Sequence, residues 1–413
     1  MSSGPVTIAI AGLGSRGTTV YGQYALDHPD EARVVAVADP IQERREAAAT
    51  AHSVPPELVF ADWQEMADRP QLAQAAVIAT DDNDHYEAAL KFLGLGYSML
   101  LEKPMSSKLN ECEAIAAAAE RASGLSAVAH VLRYTAFYRR LKGLIREGAV
   151  GRILTVRHLE PVNYWHFAHS FVRGNWRNSE GKSPFILAKC CHDLDIILYL
   201  MEERPVAVSS FGALSYFRTE SAPPDTSERC PTCSLKESCT YSAHKFYGSL
   251  LEEEQHGWPL DVVTRDFTPE GLEGALLSGP YGRCVYRCDN NVPDHQTVNV
   301  AFESGATASM VATAFTQKPA RETEVMGSDG YLKGDGETIL HQDFRTGRER
   351  LYRIEGGGGH HMGGDGAMLE EFFRAVAGND RSLLSSTPQE SLLSHKMAIL
   401  AERSRLHGTV EAV

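Results

Sequence analysis

Three glycines close behind the first apolar run have the spacing of a phosphate-binding turn. The run Val6–Ala11 leads into the pattern G-x-G-x-x-G. In such a turn, the glycines allow a sharp bend, close approach of a pyrophosphate, and tight packing of the next helix on the strand. The amides and dipole at that helix N-terminus favour the phosphate charge. The turn therefore predicts a dinucleotide site that uses Gly12, Gly14, Ser15, Arg16 and Gly17.

A carboxylate follows the second apolar run at the distance expected of a ribose ligand. Residues 33–38 are mostly apolar and end in Asp39, which lies 22 residues after Gly17. A carboxylate at this place accepts hydrogen bonds from ribose hydroxyls and repels a 2′-phosphate. Asp39 therefore favours NAD over NADP. Arg44 and Arg45 fall within the following helix, and we expect them on its surface.

The elements that position these residues alternate between strand and helix over the first 130 residues. This order predicts a parallel, doubly wound sheet with ligands beyond the carboxyl ends of its strands. Gly12, Asp39, Thr80 and Lys103 all lie at such ends. From residue 131 the pattern changes to longer, pairing strands and helices, which predicts a largely antiparallel open sheet. We expect an α/β chain with domains at 1–130 and 131–413.

Bulk properties exclude several classes of protein. A chain of 413 residues is long for one core, and its net charge of −14 argues against nucleic acid and anionic membrane surfaces as partners. No apolar run approaches the length of a membrane span, and the N-terminus does not resemble a secretion signal. We therefore expect a cytoplasmic protein whose eight cysteines stay reduced.

Two further motifs carry a family resemblance. Glu102-Lys103-Pro104 ends a strand of the first domain, and the letters CHDLD stand at 191–195. Together with the glycine turn, Asp39, residues 80–85 and residues 142–151, they resemble the Gfo/Idh/MocA family (glucose–fructose oxidoreductase and inositol dehydrogenase) over nearly the whole chain. The resemblance implies a Rossmann domain and an α+β domain, and oxidoreduction of a sugar, polyol or related small molecule with NAD or NADP.

The resemblance also implies roles for individual residues. Lys103 would be catalytic, with a cis peptide bond to Pro104, and His192 would work opposite it. Thr80, His85, Glu102 and Lys103 would complete the cofactor site. Second-domain sheets in the family commonly pair, which implies a homodimer or homotetramer.

The chain departs from its relatives next to the catalytic histidine. Many family dehydrogenases carry an aspartate where this chain has Ala188, and Lys189 follows. The AKCCHDLD form indicates a distinct branch. Pro184 is expected to begin a helix that runs to about Met201, so that Lys189 would share a face with His192. Lys189 is a further catalytic candidate, or else a solvated or ion-paired lysine.

Proton transfer is the chemistry expected of these side chains. A lysine beside a cationic nicotinamide should have a depressed pKa and can act as the base for a hydroxyl proton. His192 titrates near neutrality and could share or relay that proton. Asp195 would orient His192 or face solvent.

An aromatic and basic loop is expected over residues 160–183. Aromatic faces suit sugar rings, and the arginines and Lys182 suggest an anionic group on the substrate. The alternative is that the aromatic rings pack on the core and the arginines pair with acids. Asp365 could reach the pocket or cap a helix. The substrate candidates are Arg133, Tyr134, Tyr164, Trp165, His166, Arg173, Trp176, Asp195 and His361.

A cysteine cluster has the spacing of a compact zinc loop. Cys230, Cys233, Cys239 and His244 form C-x₂-C-x₅-C-x₄-H. Cys284 or Cys288 could replace His244 as the fourth ligand. A zinc ion here would be structural, and the alternative is a set of free or oxidisable thiols.

Three functions remain open from the sequence. The first is an NAD-dependent oxidoreductase that takes hydride from a secondary alcohol carbon of a sugar, which could be neutral or acidic. The second is a glycoside hydrolase that uses NAD transiently, through oxidation, elimination, hydration and reduction, for example on sulfonated or acidic glycosides. The third is a cofactor-sensing regulator, against which the retention of Lys103 and His192 counts.

Overall fold

The first sheet is parallel and buried on both faces. The computed structural model describes residues 4–355 and 363–413. The six strands lie in the order β3-β2-β1-β4-β5-β6, as predicted for a doubly wound sheet. Their bounds are β1 Val6–Ala11, β2 Ala32–Ala38, β3 Val59–Phe60, β4 Ala75–Ile78, β5 Ser98–Leu101 and β6 Ser126–Val128. Their carboxyl ends form one edge, at which the glycine turn begins.

Helices connect these strands and cover both faces of the sheet. A π-helical segment, Arg16–Gly22, continues as α1 Gln23–Asp27. The others are α2 Gln42–His52, α3 Trp63–Ala67, α4 His85–Gly94 and α5 Leu109–Arg121. Side chains alternate along β1, so that Ile8 and Ile10 face one core and Ala9 and Ala11 face the other.

The second sheet has nine strands and is largely antiparallel, as predicted. Its order is β14-β13-β12-β11-β7-β10-β9-β8-β15, and of its pairs only β7 with β10 is parallel in the part of the chain described. The strands are β7 Ile153–Pro161, β8 Pro205–Ala213, β9 His295–Phe302, β10 Thr307–Thr313, β11 Glu322–Gly327, β12 Gly330–Gly334, β13 Thr338–Asp343, β14 Arg348–Arg353 and β15 Val410–Ala412. One face packs on helices, and the other exposes apolar side chains such as Phe211 and Val311.

The helices of the second half fall into two groups. Those on the sheet and between the sheets are α6 Ala136–Arg146, α7 Tyr164–Phe167, α8 Phe185–Ala188, α9 Cys191–Met201, α13 Gly364–Gly378 and α14 Pro388–His407. Between β8 and β9 lies an insertion, residues 214–294, with α10 Ala243–Glu252, α11 Leu260–Val263 and α12 Pro269–Ser278. The insertion has a small core of its own, formed by residues such as Tyr247, Leu260 and Leu276.

The late helix α13 crosses back to the first sheet. Its residues Met368, Leu369 and Phe372 are buried in the same core as Ile8 and Ile10. The sequence pattern changes near residue 131, but the core of the first sheet is completed by residues from the far end of the chain. Across the described residues, no helix is long and apolar enough to cross a membrane.

Two local expectations were wrong. The helix expected from Pro184 to Met201 is interrupted, because α8 ends at Ala188 and α9 begins at Cys191. Lys189 therefore lies in the break and not on a helical face shared with His192. The segment expected to be a loop at 160–183 is partly helical, with α7 followed by the π-helical segment Ala168–Arg173.

Candidate functional site

The glycine turn is closed on the strand side and open outward. Gly12 has φ +93°, and a Cβ at Gly17 would overlap the carbonyl oxygen of Gly12. A Cβ at Gly14 would meet no atom within 4 Å. The turn therefore has the close packing that needs glycine and a free outer surface. That surface and the helix beginning at Arg16 fit the phosphates of a dinucleotide.

Asp39 holds this turn in place. Its Oδ2 accepts a hydrogen bond from the Leu13 amide at 2.7 Å, and its Oδ1 accepts one from the Ile41 amide at 2.8 Å. The Arg45 guanidinium donates to the carbonyls of Asp39 and Pro40, both at 3.2 Å, so it covers the end of β2. The sequence did not reveal this structural role of Asp39, which accompanies the expected contact with ribose.

Glu102 links the turn to the end of β5. It accepts hydrogen bonds from Arg16 Nε at 2.5 Å, from the Tyr21 hydroxyl, and from its neighbour's amide. Burial raises the pKa of Glu102, but the charges of Arg16 and Lys103 outweigh burial and lower it. Arg16 also pairs with Asp365 in the first turn of α13 at 2.7 Å. Glu102 and Arg16 therefore join three elements from distant parts of the chain.

Lys103 reaches from the first sheet to the helix break. Its peptide bond to Pro104 is cis, as the resemblance implies. Its Nζ donates a hydrogen bond to the carbonyl oxygen of Ala188 at 2.9 Å. His85 donates from Nδ1 to the carbonyl of Pro104 at 2.7 Å and so supports the same turn. Thr80 lies at the end of the neighbouring strand, partly exposed.

His192 stands in the first turn of α9 and packs against a second imidazole. The rings of His192 and His130 lie edge to face with centroids 5.7 Å apart, and His130 meets His395 at 5.6 Å. Burial, with Arg133 and Lys103, holds the pKa of His130 well below its usual value. Burial also lowers the pKa of His395 to about 3. His130 and His395 are therefore neutral at physiological pH.

Two residues expected at the substrate bind each other instead. Arg133 donates to both carboxylate oxygens of Asp195, at 2.6 and 2.7 Å, and to the carbonyl of Ser385 at 2.5 Å. Asp195 is buried, so it does not face solvent. The Tyr134 hydroxyl lies 2.9 Å from Ser386 Oγ. These contacts tie the start of the second half to α9 and to the segment before α14.

Lys189 belongs to a buried charge network. Its Nζ lies 3.4 Å from Glu160 Oε1, and Arg321 bridges Glu160 at 2.5 Å to Asp193 at 2.6 Å. His158 Nε2 lies 2.9 Å from the same Asp193 oxygen. Burial raises the pKa of Glu160 even though Arg321 opposes it. Burial would also raise the pKa of Asp193, but Arg321 and His158 hold it far below its usual value.

The aromatic side chains after β7 meet the insertion. Trp165 stacks on Phe246 with centroids 5.0 Å apart, and His166 lies edge to face with Trp258 at 5.0 Å. Tyr164 meets Tyr241 of the insertion at 6.2 Å. Trp176 is 45% exposed and lies beside Phe171. Burial and the charge of Lys189 lower the pKa of His166 well below its usual value. His166 therefore packs against the insertion through Trp258.

The arginines that suggested an anionic substrate bind other groups of the protein. Arg173 is buried and donates to the carbonyls of Arg283 at 2.8 Å and Tyr241 at 2.7 Å. Arg177 pairs with Asp289 at 2.8 Å. Arg173 therefore holds the insertion against the segment after β7 from within, and Arg177 adds a more exposed ion pair. Neither side chain supports an anionic substrate, which stays a prediction, and His361 lies outside the described residues.

The cysteines do not form the expected zinc site. Cys230, Cys233, Cys239 and Cys284 line one cavity of about 300 Å³ in the insertion. His244 instead faces Glu273 at 3.5 Å and Glu237 at 3.8 Å. Within residues 4–355 and 363–413, no group of three or more histidine, cysteine or acidic side chains is arranged to hold a metal. All eight cysteines are free thiols.

Comparison with known proteins identifies the family. Residues 6–130 match the Gfo/Idh/MocA oxidoreductase family, NAD-binding Rossmann fold, and residues 142–411 match its C-terminal alpha/beta domain. The chain belongs to the Gfo/Idh/MocA family. It is therefore an oxidoreductase-family enzyme with an NAD-binding Rossmann domain.

Curated relatives of this Gfo/Idh/MocA protein have diverse names. "Putative oxidoreductase YteT" of Bacillus subtilis (strain 168) is 22% identical over 319 residues, which are 72% of this chain and 71% of that one. The 2,7-anhydro-N-acetylneuraminate hydratase of Mediterraneibacter gnavus is 25% identical over 210 residues, which are 50% of this chain and 52% of that one. The chain thus matches only about half of the hydratase.

A solved relative shares the fold of this family member over its whole length. Levoglucosan dehydrogenase, in complex with NADH and levoglucosan, superposes with a TM-score of 0.72 at 17% identity. The superposition covers 99% of each chain. At this identity the likeness shows the fold alone.

Several residues of the site escaped sequence reasoning. His130 follows β6 and Glu160 lies near the end of β7, so a search for polar residues at the carboxyl ends of strands could have found both. Asp193 stands inside the CHDLD motif but was not singled out. Arg321 has no local signal, because its partners lie far away in sequence.

Proposed function

We propose that this Gfo/Idh/MocA enzyme is an NAD-dependent oxidoreductase that removes hydride from a secondary alcohol carbon of a sugar or sugar derivative. The observation that carries the proposal is the contact of Lys103 Nζ with Ala188 O at 2.9 Å. This contact sets an amine at the carboxyl edge of the Rossmann sheet, at the start of the α8–α9 break that precedes His192.

The residues around the glycine turn fit NAD. Gly12, Gly14 and Gly17 with the amides of Ser15 and Arg16 would hold the pyrophosphate. Asp39 would accept the ribose hydroxyls with its remaining lone pairs. Thr80, His85 and Glu102 line the same edge of the sheet. When bound, NAD supplies the acceptor for the hydride.

Lys103 and His192 handle the proton in the proposed reaction. Lys103 acts as the base for the substrate hydroxyl and takes its proton at Nζ as the hydride leaves carbon. The Ala188 carbonyl then stabilises the resulting ammonium by accepting one of its hydrogens. His192, held by the neutral His130 ring, orients the hydroxyl or passes the proton onward.

A glycoside-cleaving cycle is the second candidate, and Glu160 favours it. In that cycle, oxidation at C3 acidifies the C2 proton, the aglycone is eliminated, water adds, and the hydride returns. A departing aglycone needs an acid as well as a base. Glu160, with its pKa raised by burial, lies 3.4 Å from Lys189 and so supports a second proton-handling pair beside Lys103.

Activity assays with matched variants test the proposal. Purified protein is incubated with NAD and a panel of free sugars, inositols, anhydrosugars and glycosides, and both NADH and released aglycone are measured. We expect NADH from at least one free sugar or polyol, and loss of at least a hundredfold in kcat with Lys103→Ala. The control Lys182→Ala changes an exposed lysine in the segment after β7 and should leave kcat unchanged.

The outcomes separate the candidates. Aglycone release without net NADH would favour the glycoside-cleaving cycle. Full activity of Lys103→Ala would overturn both. Native mass spectrometry of the purified protein adds an independent readout, because retained NAD is expected of an enzyme that returns its hydride in every cycle.

A further inference from the structure

An aromatic surface joins the catalytic half to the insertion. Trp165 and His166 come directly after β7, whereas Phe246 and Trp258 belong to the insertion. The centroids of Trp165 and Trp258 are 5.6 Å apart, with the rings tilted by 50°. Phe246 stacks on Trp165 with an interplanar angle of 26°. Four rings from two segments therefore support one another and fix the orientation of the two indoles.

Trp258 remains exposed within this rigid cluster. Its relative exposure is 42%, although the rings of His166 and His169 lie at steep angles to it, with centroids 5.0 and 5.4 Å away. An aromatic side chain held in place by its neighbours presents an apolar ring of fixed orientation, as aromatic side chains at interfaces do. Trp176 is similarly exposed, at 45%, but of the described aromatic rings only Phe171 is paired with it. Trp258 therefore differs from Trp176 in being held by several neighbouring rings.

The chain connects the cluster to the proposed reaction centre. Lys189 directly follows Ala188, whose carbonyl binds Lys103 Nζ. Lys189 Nζ lies 3.4 Å from Glu160 Oε1, and Trp165 comes five residues after Glu160. The end of β7 thus carries the side chain that meets the helix break and leads directly into the aromatic cluster.

We propose that Trp258 and Trp165 form a subsite for a second pyranose ring, glycosidically linked to the sugar that reacts at Lys103. The C–H face of a pyranose packs on an indole face, which combines a large apolar area with fixed geometry. The inference rests on the proposed function and narrows its substrate to glycosides in which a second sugar is linked to the reacting sugar.

Calorimetric titration tests the subsite. The NAD-loaded protein is titrated with maltose, cellobiose, lactose and sialyllactose, and with glucose, galactose and N-acetylneuraminic acid as the matching single sugars. We expect at least one disaccharide or sialyllactose to bind more tightly than its single sugars. Trp258→Ala should weaken that binding about tenfold and leave single sugars unchanged. Trp258→Phe keeps an aromatic face and should retain most of the affinity.

Controls separate this proposal from the general function. Phe344→Ala, which removes an exposed ring outside the cluster, should leave all affinities unchanged, and NAD affinity should be the same in every variant. The subsite is overturned if no linked sugar binds more tightly than a single sugar, if Trp258→Ala binds like the parent, or if it loses NAD instead. NADH formation from single sugars tests the proposed function independently of all these outcomes.

Discussion

Arg321 is the residue on which the buried charge network depends. It lies between the carboxylates of Glu160 and Asp193, both almost fully buried. Arg321→Leu would leave two like charges without their shared cation. We expect a loss of about 3–5 kcal/mol in the free energy of unfolding, measured by urea denaturation near neutral pH. The control Arg157→Ala changes an exposed arginine that pairs with Glu324 at 2.6 Å, and it should cost far less.

The pH dependence of stability follows from the same network. The folded pKa of Asp193 is depressed, so its contribution is present above the ordinary carboxyl pKa of about 4 and is lost as pH falls below it. In Arg321→Leu the pKa of at least one carboxylate should be raised. Burial already raises the pKa of Glu160 in the parent, so that variant should gain more stability than the parent on mild acidification. Parallel stability profiles for the two proteins from about pH 4 to about pH 7 would contradict this account.

Asp39 discriminates between cofactors in the proposed function. Its charge stands beside the expected ribose, while Arg45 lies close enough to favour a 2′-phosphate. Asp39→Asn removes the charge and keeps an oxygen that can accept one of the two amide hydrogen bonds. We expect the ratio of NAD to NADP affinity to fall about tenfold, measured by titration of each cofactor against intrinsic fluorescence. An unchanged ratio would exclude Asp39 as the discriminating group.

At the scale of elements, Arg173 fixes the insertion to the segment after β7. Arg173→Leu leaves the carbonyls of Tyr241 and Arg283 without their donor, at about 1–3 kcal/mol for each buried group. We expect faster proteolysis within 214–294 and faster labelling of Cys230 and Cys284 by a thiol reagent. Arg177→Ala is the matched control, because Arg177 is more exposed and pairs with an exposed acid. Equal labelling rates in both variants would contradict this role.

The elements also show what sequence reasoning can reach. Local sequence patterns mark the start of α14, because Thr387 and Glu390 form a capping box and Pro388 starts the first turn. The parallel, doubly wound form of the first sheet was predicted from the alternation of strand and helix patterns. The break between α8 and α9 was missed, because Lys189 and Cys190 are neither glycine nor proline. Lys103 and Glu160 contact this break from distant parts of the chain, so no local sequence pattern predicts these contacts.

At the scale of the whole molecule, three distant segments meet at Arg16. Arg16 lies in the glycine turn, Glu102 follows β5, and Asp365 lies in the first turn of α13. Since α13 completes the core of the first sheet, the shape of the proposed cofactor site depends on residues that come after β14 of the second sheet. The strands and the glycine turn could be predicted from local patterns, but the return of α13 to the first sheet could not.

Asp365→Asn tests whether the ion pair between α13 and the glycine turn contributes to cofactor binding. The amide keeps an acceptor for Arg16 but removes the charge, so we expect a loss of about 1 kcal/mol in the free energy of unfolding and several-fold weaker NAD binding. Thermal unfolding with and without NAD measures both effects. Glu370→Gln, at an exposed position of α13 facing Arg374, should change neither. If Asp365→Asn loses stability but binds NAD like the parent, Arg16 ties the molecule together without shaping the turn. An unchanged protein would show that Glu102 alone holds Arg16 in place.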